Sequence, residues 1–338
     1  MTTAQQMSAA PVPLPDPVRL MPGLRAPRNR WAVLLAGGDG TRLLPITRRL
    51  YGYDRPKQYC AFGPGGTLLE QTLRRAARLV DPDRIVVVVS RNHWREALQC
   101  LAGWPEVTII DQPANRGTLP GILWPVLNIQ AEDPDATVLV MPCDHAIGPP
   151  EEGEAAFAEV LEQAAGVVHR CPDELVLLGA ESETVLDEVG WIVPGDPVLG
   201  AGMEVQSFHE KPSMDEASRL HQQGALVSTF IMAARAATLI ELAREHRPDW
   251  WLALSASLED HSFLPRLYDE LAPAAFSHEV LTAAASRLRV LPMSGVEWSD
   301  IGTPERLLDA LTLPFERGPT APSASLTSGW RQHVRVVS

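Results

Sequence analysis

Cysteine is scarce in these 338 residues: Cys60, Cys100, Cys143 and Cys171 are the only four, and they lie tens of residues apart. No CxxC pair occurs and no histidine spacing suits zinc, so reduced thiols in a cytoplasmic protein are expected. Positive charge is also short, with 29 Lys+Arg against 42 Asp+Glu and a formal net charge of −13. That excludes generic nucleic-acid binding through a basic face but not a local cationic pocket for a small anion. No apolar stretch reaches about 18 residues, so no membrane span is expected. The N-terminus lacks a charged head followed by an apolar region, so it does not read as a secretory signal. There is no internal repeat, and no hexapeptide repeat that would build a β-helix.

What is present is ordinary core-forming material, 45% hydrophobic residues and 21% charged, enough for one large α/β domain or two modest ones. Residues 1–30 contain six prolines and little periodicity, which suggests a disordered or extended arm. Residues 313–338 read as a loose tail, with Pro, Ser, Thr and Gly concentrated over 314–330. Between these ends, strand patterns at 32–36, 84–90, 107–111, 136–142 and 174–180 alternate with helical patterns at 67–80, 92–101 and 151–169. Continuous runs such as VVVV require a sheet covered on both faces. The alternation predicts an α/β fold with a doubly wound, mostly parallel sheet. A helix over 118–131 should be kinked or shortened at Pro125. After residue 180, short strands (190–194, 203–209, 227–233, 288–292) mix with helices at 214–222, 235–246 and 303–311. The chain therefore divides into a first half, about 31–180, and a second, about 181–312, that shapes another ligand.

The stretch VLLAGGDGTRLLPITRRLYGYDRPKQYC, residues 33–60, poses the functional question. A dinucleotide fingerprint needs a third glycine where Leu43 stands, and a Walker loop needs Gly-Lys-Ser/Thr where Gly40-Thr41-Arg42 stands, so both familiar phosphate loops fail. Glycines after a buried strand still let backbone N–H groups approach anionic oxygens. Arg42 adds a planar, permanently charged fork.

The whole string is more specific. L-A-G-G-x-G-T-R-L-x-P-x-T followed by P-K-Q resembles the signature of the sugar-phosphate nucleotidyltransferases. Four further stretches match in order: QPANRGTLPG (112–121), VMPCDHAI (140–147), FHEKP (208–212) and VEWSDIGTPERL (296–307). The resemblance covers about residues 31–311, and Pro-Lys-Gln with Asn-Arg-Gly-Thr is most similar to mannose-1-phosphate guanylyltransferases. It implies a Rossmann-like, doubly wound mixed sheet of the glycosyltransferase A-like type. It also implies attack of a sugar 1-phosphate on the α-phosphorus of a nucleoside triphosphate, giving GDP-mannose and pyrophosphate from GTP and mannose 1-phosphate.

Site residues follow from the same resemblance. Asp144 and Asp300 would hold Mg²⁺, a hard cation suited to oxygen ligands. Arg42 and Lys57 would neutralise the triphosphate, and Lys211 would hold the sugar phosphate. Gly38, Gly40 and Thr41 would line the phosphates. Gln112, Asn115, Gly117 and Thr118, with backbone of Leu35, Ala36 and Gly37, would read the base. Gly190, Glu210 and Ser228 would contact the sugar.

Bland readings stand beside these. Asp144 and Asp300 can cap turns, although Thr303 before Pro304 is the better N-cap for the last helix. Thr118 can cap its helix, Trp191 can be core rather than sugar contact, and His145 can pack beside Asp144. Ser228 stands where relatives carry an Asn amide, Ser277 lies in a loop lacking an expected acid, and Leu119 and Gly121 replace alanines. These departures leave the sugar and base open, with glucose 1-phosphate and UTP or dTTP as an alternative. A non-catalytic nucleotide-sugar binder is a third reading, disfavoured by the presence of Arg42, Lys57 and both acids. The isomerase domain of larger bifunctional relatives is expected to be absent. Small-molecule substrates are the expected partners, with no nucleic acid and no membrane, and homo-oligomerisation is left open.

Overall fold

The computed structural model describes residues 27–63, 65–148, 152–312 and 336–337. The first part of the chain runs β1 (Arg30–Leu35), α1 (Leu44–Tyr51), α2 (Leu68–Ala76), β2 (Ile85–Ser90), α3 (Trp94–Leu101) and β3 (Thr108–Gln112). It continues with α4 (Thr118–Glu132), β4 (Thr137–Pro142), β5 (Ala146–Gly148), α5 (Glu152–Arg170) and β6 (Leu175–Ala180). Next come β7 (Trp191–Val198), β8 (Gly202–His209), α6 (Met214–Gln222), β9 (Leu226–Arg235), α7 (Ala236–His246) and α8 (Pro248–Ala256). The last elements are α9 (Leu264–Glu270), β10 (Leu288–Pro292), β11 (Glu297–Ser299), α10 (Pro304–Thr312) and β12 (Val336–Val337).

Ten strands form one sheet in the order β12-β3-β2-β1-β4-β9-β6-β10-β8-β7. Pairing is parallel from β12 through β4 and between β6 and β10, and antiparallel elsewhere, so the sheet is mixed. β7 also pairs with β9, which curls this end of the sheet back on itself. β9 lies between β4 and β6, so the two halves read from the sequence share one continuous sheet.

Side-chain alternation sorts the central strands into two cores. Trp31, Val33, Val86, Val88, Val138 and Val140 face one, under α4, α7 and α8; Ala32, Leu34, Val87, Val89, Leu139 and Met141 face the other, under α2, α3 and α5. Both faces are buried, as the β-branched runs require. The α2 start is set by a reciprocal cap: Thr67 accepts from the Glu70 amide, and the Glu70 carboxylate accepts from the Thr67 N–H.

Three expectations need correction. α4 is not shortened at Pro125, because it runs through to Glu132 with ten buried residues holding it in place. Tertiary burial there outweighs the lost hydrogen bond. In the segment expected as a loose tail, Val336–Val337 pairs with Ile109 and Ile110 as an edge strand, while 313–335 and 338 lie outside the described residues. Of the N-terminal arm, residues 1–26 likewise lie outside, and Arg30 already belongs to β1. Among the described residues, no helix is long and apolar enough to cross a membrane.

Candidate active site

Two three-residue strands without any periodic signal assemble the centre of the site. β5 pairs antiparallel with β11, Ala146 opposite Ser299, so the residues just outside that ladder, from Asp144 on one side and to Asp300 on the other, lie side by side. Lys57 reaches both. Its Nζ lies 3.2 Å from Asp144 Oδ2 and donates to the carbonyls of Asp300, at 2.5 Å, and Ile301, at 3.2 Å. Pro56 holds extended backbone ahead of the Lys57–Tyr59 turn and delivers the lysine inward, where it is buried. Gly40 has φ +58°, and a Cβ there would sit 3.2 Å from the Lys57 amide nitrogen. Glycine is needed there for both conformation and close approach.

Burial raises the Asp144 pKa, but Lys57 and then His145 outweigh it, so the carboxyl lies below its usual range and is ionised at neutral pH. Burial pushes the His145 imidazole down, with Asp144 opposing. Trp298 Nε1 donates to His145 Nδ1 at 3.2 Å, which leaves the neutral ring's proton on Nε2, 3.5 Å from Asp144 Oδ1. His145 packs edge-on against Trp298 and so supports Asp144, in line with the bland reading of that residue.

Asp300 does not cap α10. Its Oδ1 accepts from the Gly302 N–H at 3.2 Å, while Thr303 Oγ1 accepts from the Arg306 N–H at 3.3 Å and caps the helix. Arg306 lies against the Asp300 carboxylate, Nε 3.0 Å from Oδ1, and donates from Nη2 to Oδ2 at 3.3 Å. The same Nη2 donates to Glu188 Oε2 at 3.0 Å, and Arg42 Nη1 donates to that oxygen at 2.6 Å. Arg42 is half exposed at the mouth of the site.

The residues expected to read the base lie along the ends of β1 and β3 and the start of α4. The Ala36 N–H donates to Val88, and its carbonyl accepts from both Gln58 Nε2 and Tyr59 OH. Leu35's carbonyl accepts from Cys143. These bonds seat Leu35 and Ala36 in the sheet, and Gly37, next in the chain, faces Gln112. Gly38 has open space where a Cβ would be, and its carbonyl accepts from Gln58 Nε2 at 2.6 Å; Thr41 begins the short turn before α1. Gln112 is buried and donates to Tyr268 OH at 3.1 Å. Asn115 donates to Asp39 Oδ2 at 2.9 Å and accepts from the Gly117 N–H at 3.1 Å. Gly117, not Thr118, is the N-cap of α4, and no side chain caps it. The Thr118 hydroxyl instead accepts from the Phe276 N–H at 2.8 Å. A distant loop, 271–276, has taken the acceptor that local spacing assigned to the cap.

On the second side, three residues meet. The Ser228 N–H donates to the Gly190 carbonyl at 2.8 Å, and a Cβ on Gly190 would sit 3.1 Å from Glu210 Oε2 and 2.7 Å from the Phe208 ring. Lys211 Nζ is exposed, 3.9 Å from Glu210 Oε1. Trp191 is not part of this surface: it is fully buried and donates to the Leu186 carbonyl at 2.6 Å. Its neighbours Val189, Ala217, Leu220 and Val227 make it core. Lys211, Phe230 and Ile301 hold positive φ of 45°, 57° and 46°. Such backbone costs energy in non-glycine residues and gathers where a site demands it.

Gln58, Tyr59, Asp39, Glu188, Trp298 and Arg306 were not singled out from the sequence. All but Glu188 stood inside the quoted motifs, so their position was a signal. Glu188 carried none, because its partners lie more than 110 residues away.

Fold and site together define an α/β protein that gathers acids, a buried lysine and arginines at the carboxyl ends of parallel strands. Residues 31–314 match the Nucleotidyl transferase family, and the chain belongs to it. It is 30% identical over 283 residues to the alginate biosynthesis protein AlgA of Pseudomonas putida, covering 80% of this chain and 56% of that protein. It is 28% identical over 289 residues to a mannose-1-phosphate guanylyltransferase of Escherichia coli, covering 81% and 58%. A crystal structure described as mannose-1-phosphate geranyltransferase from Thermus thermophilus superposes with TM-score 0.72 at 29% identity, covering 84% of this chain and 79% of that one. The chain spans a little over half the length of these curated relatives.

Family membership implies a divalent-cation-dependent mechanism. Among the described residues, no group of three or more His, Cys, Asp or Glu is placed to hold a metal ion. Mg²⁺ does not demand one, since it is commonly bound by one or two carboxylates plus substrate phosphates and water. Asp144 and Asp300 offer hard oxygens, joined through one ammonium that touches both residues. The donor set fits the ion in kind.

Proposed function

We propose that this protein transfers a nucleotidyl group from a nucleoside triphosphate to a sugar 1-phosphate, forming a nucleotide sugar and pyrophosphate. GTP and mannose 1-phosphate are the proposed pair and GDP-mannose the product. The observation that carries the reading is the placement of Lys57 against both Asp144 and Asp300, which gathers three separate motifs around one buried charge. Similarity to the guanylyltransferase of Escherichia coli and to the Thermus thermophilus structure supports the choice of pair.

The chemistry joins two polyanions in line, so positioning and charge matter more than a side-chain nucleophile. Mg²⁺, held by Asp144 and Asp300, would supply charge neutralisation and orientation of the α-phosphate. Lys57, with little access to water, places a positive charge where the triphosphate must approach and strengthens as the site dehydrates. Arg42, at the mouth, stabilises charge on the departing pyrophosphate. Lys211 neutralises the phosphate of the sugar, and Glu210, given room by Gly190, accepts sugar hydroxyls. The loop Gln112–Thr118 and the Gly37 backbone favour guanine, whose O6 acceptor and N1–H and N2–H donors suit a pocket of peptide and amide groups.

Pyrophosphate release over a matrix of GTP, ATP, UTP and dTTP against mannose and glucose 1-phosphates tests both levels. Preference for UTP or dTTP with glucose 1-phosphate would replace the pair and keep the chemistry. No release with any pair would overturn the nucleotidyltransferase reading.

A further inference from the structure

One oxygen, Oε2 of Glu188, accepts from two guanidinium groups that come from opposite ends of the chain. Arg42 follows the glycine loop, and Arg306 lies in the first turn of α10; their distances to it are 2.6 Å and 3.0 Å. Convergent forks of this kind suit a phosphate group, whose several oxygens share up to about two negative charges and can meet each fork with oxygens of their own. Arg306 is steadied from below by Asp300, and both are more than four-fifths buried. Glu188 is not held so firmly. It is more than a third exposed, and it lies in the irregular connection between β6 and β7. Its backbone neighbours are anchored, with Val189 buried and the Leu186 carbonyl accepting from Trp191, so side-chain rotation alone carries the carboxylate into water.

We infer that Glu188 is an internal stand-in for a substrate phosphate, and that Arg306 is a further phosphate-binding residue uncovered when Glu188 leaves. The ligand class is a phosphate chain, the triphosphate or its pyrophosphate product. This rests on the proposed function for its biological meaning, though the binding event can be tested without turnover. Without ligand, Arg42, Arg306 and Lys57 are balanced by Glu188, Asp300 and Asp144. When a polyanion arrives, Glu188 is the acid that gives way, being the exposed partner of an exposed ion pair, the weakest kind. The stand-in keeps two arginines aimed at the site while it waits, and it makes weakly charged ligands compete against an ion pair.

The test is calorimetric titration of the full chain with inorganic pyrophosphate, comparing wild type, Glu188→Gln and Arg306→Gln. Glu188→Gln removes the competitor and keeps the shape, so binding should tighten about threefold to tenfold. Arg306→Gln should weaken it about tenfold or more, through loss of a charge-assisted contact. If Arg306→Gln does not fold, Arg306→Lys, which keeps charge but loses the fork, should weaken binding as well. Unchanged or weaker binding by Glu188→Gln would overturn the inference, because a purely structural Glu188 would leave Arg42 and Arg306 worse placed when lost. Wild-type affinity in the Arg306 variants would also overturn it. A wild type that binds pyrophosphate as described yet releases none from any substrate pair would refute the proposed function and leave this site standing.

Discussion

Lys57→Met would remove a buried charge that joins separated motifs while keeping a flexible side chain of similar length. At 3.2 Å from Asp144, a unit charge pair attracts by about 5 kcal/mol at an effective dielectric near 20. Water reduces this, because the Asp144 side chain is 35% exposed. Methionine also recovers apolar burial, but two carbonyls, of Asp300 and Ile301, lose their donor. The balance is a loss of about 2–3 kcal/mol. For a domain of this size that corresponds to roughly 3–5 °C in Tm. Scanning calorimetry measures it, and hydrogen exchange at the amides of 299–302 shows whether the Asp300 loop loosens. A cycle with Asp144→Asn should give a coupling of about 1–3 kcal/mol. Turnover should fall on the order of a hundredfold or more if the ammonium stabilises transferring phosphate. A variant that melts within about one degree of wild type, with unchanged exchange at 299–302, would refute the claim that Lys57 holds the two acids together.

Gly117→Ala places a Cβ 2.3 Å from the Ala274 carbonyl at φ +89°, so it should cost about 2–4 kcal/mol; a melting curve like wild type would contradict the backbone contact. Gly190→Ala crowds Glu210 and Phe208, and should raise KM for the sugar phosphate several-fold while sparing KM for the nucleotide; the reverse pattern would move the sugar elsewhere. Asp144→Asn and Asp300→Asn should each raise the Mg²⁺ concentration for half-maximal activity about tenfold or more, and an unaltered metal titration would remove that residue from the ligand set. Burial holds the His93 imidazole below its usual value, against the pull of Asp39. The folded state therefore binds fewer protons than the unfolded chain, and this stability is complete above about pH 6.5 and lost as pH falls towards the folded pKa. Tm recorded from pH 8 to 5.5 should decline, and His93→Gln should flatten the decline; an equal slope in the variant would place the titration elsewhere.

Strong local patterns were readable without the fold. The VVVV run of β2 and the apolar runs of β1, β4 and β6 announced strands buried on both faces, since only a doubly covered sheet hides side chains of both parities. Glycine at 40 marked a turn because the left-handed conformation and the nearness of Lys57 both require it. Thr303 before Pro304 announced a helix start, and Thr303 caps α10. The acids, the lysine and the arginine at position 42 were legible as a set, because motif order carries information that periodicity does not.

Other features depended on partners that no sequence window contains. β5 and β11 are three residues each and exist because they pair across about 150 positions; that pairing brings Asp144 beside Asp300. α4 keeps its length past Pro125 because burial on the sheet outweighs one missing hydrogen bond. Thr118 lost its capping role to the Phe276 amide, and Ala36 spent its polar groups on Val88, Gln58 and Tyr59. Trp191, read equally well as sugar contact or core, was settled by a carbonyl five residues away and by the packing of α6. Glu188 had no local mark at all, since its role arises only where Arg42 and Arg306 meet. Local sequence determines how a residue pairs when its partner lies within a turn or two; when the partner comes from another part of the chain, the fold decides.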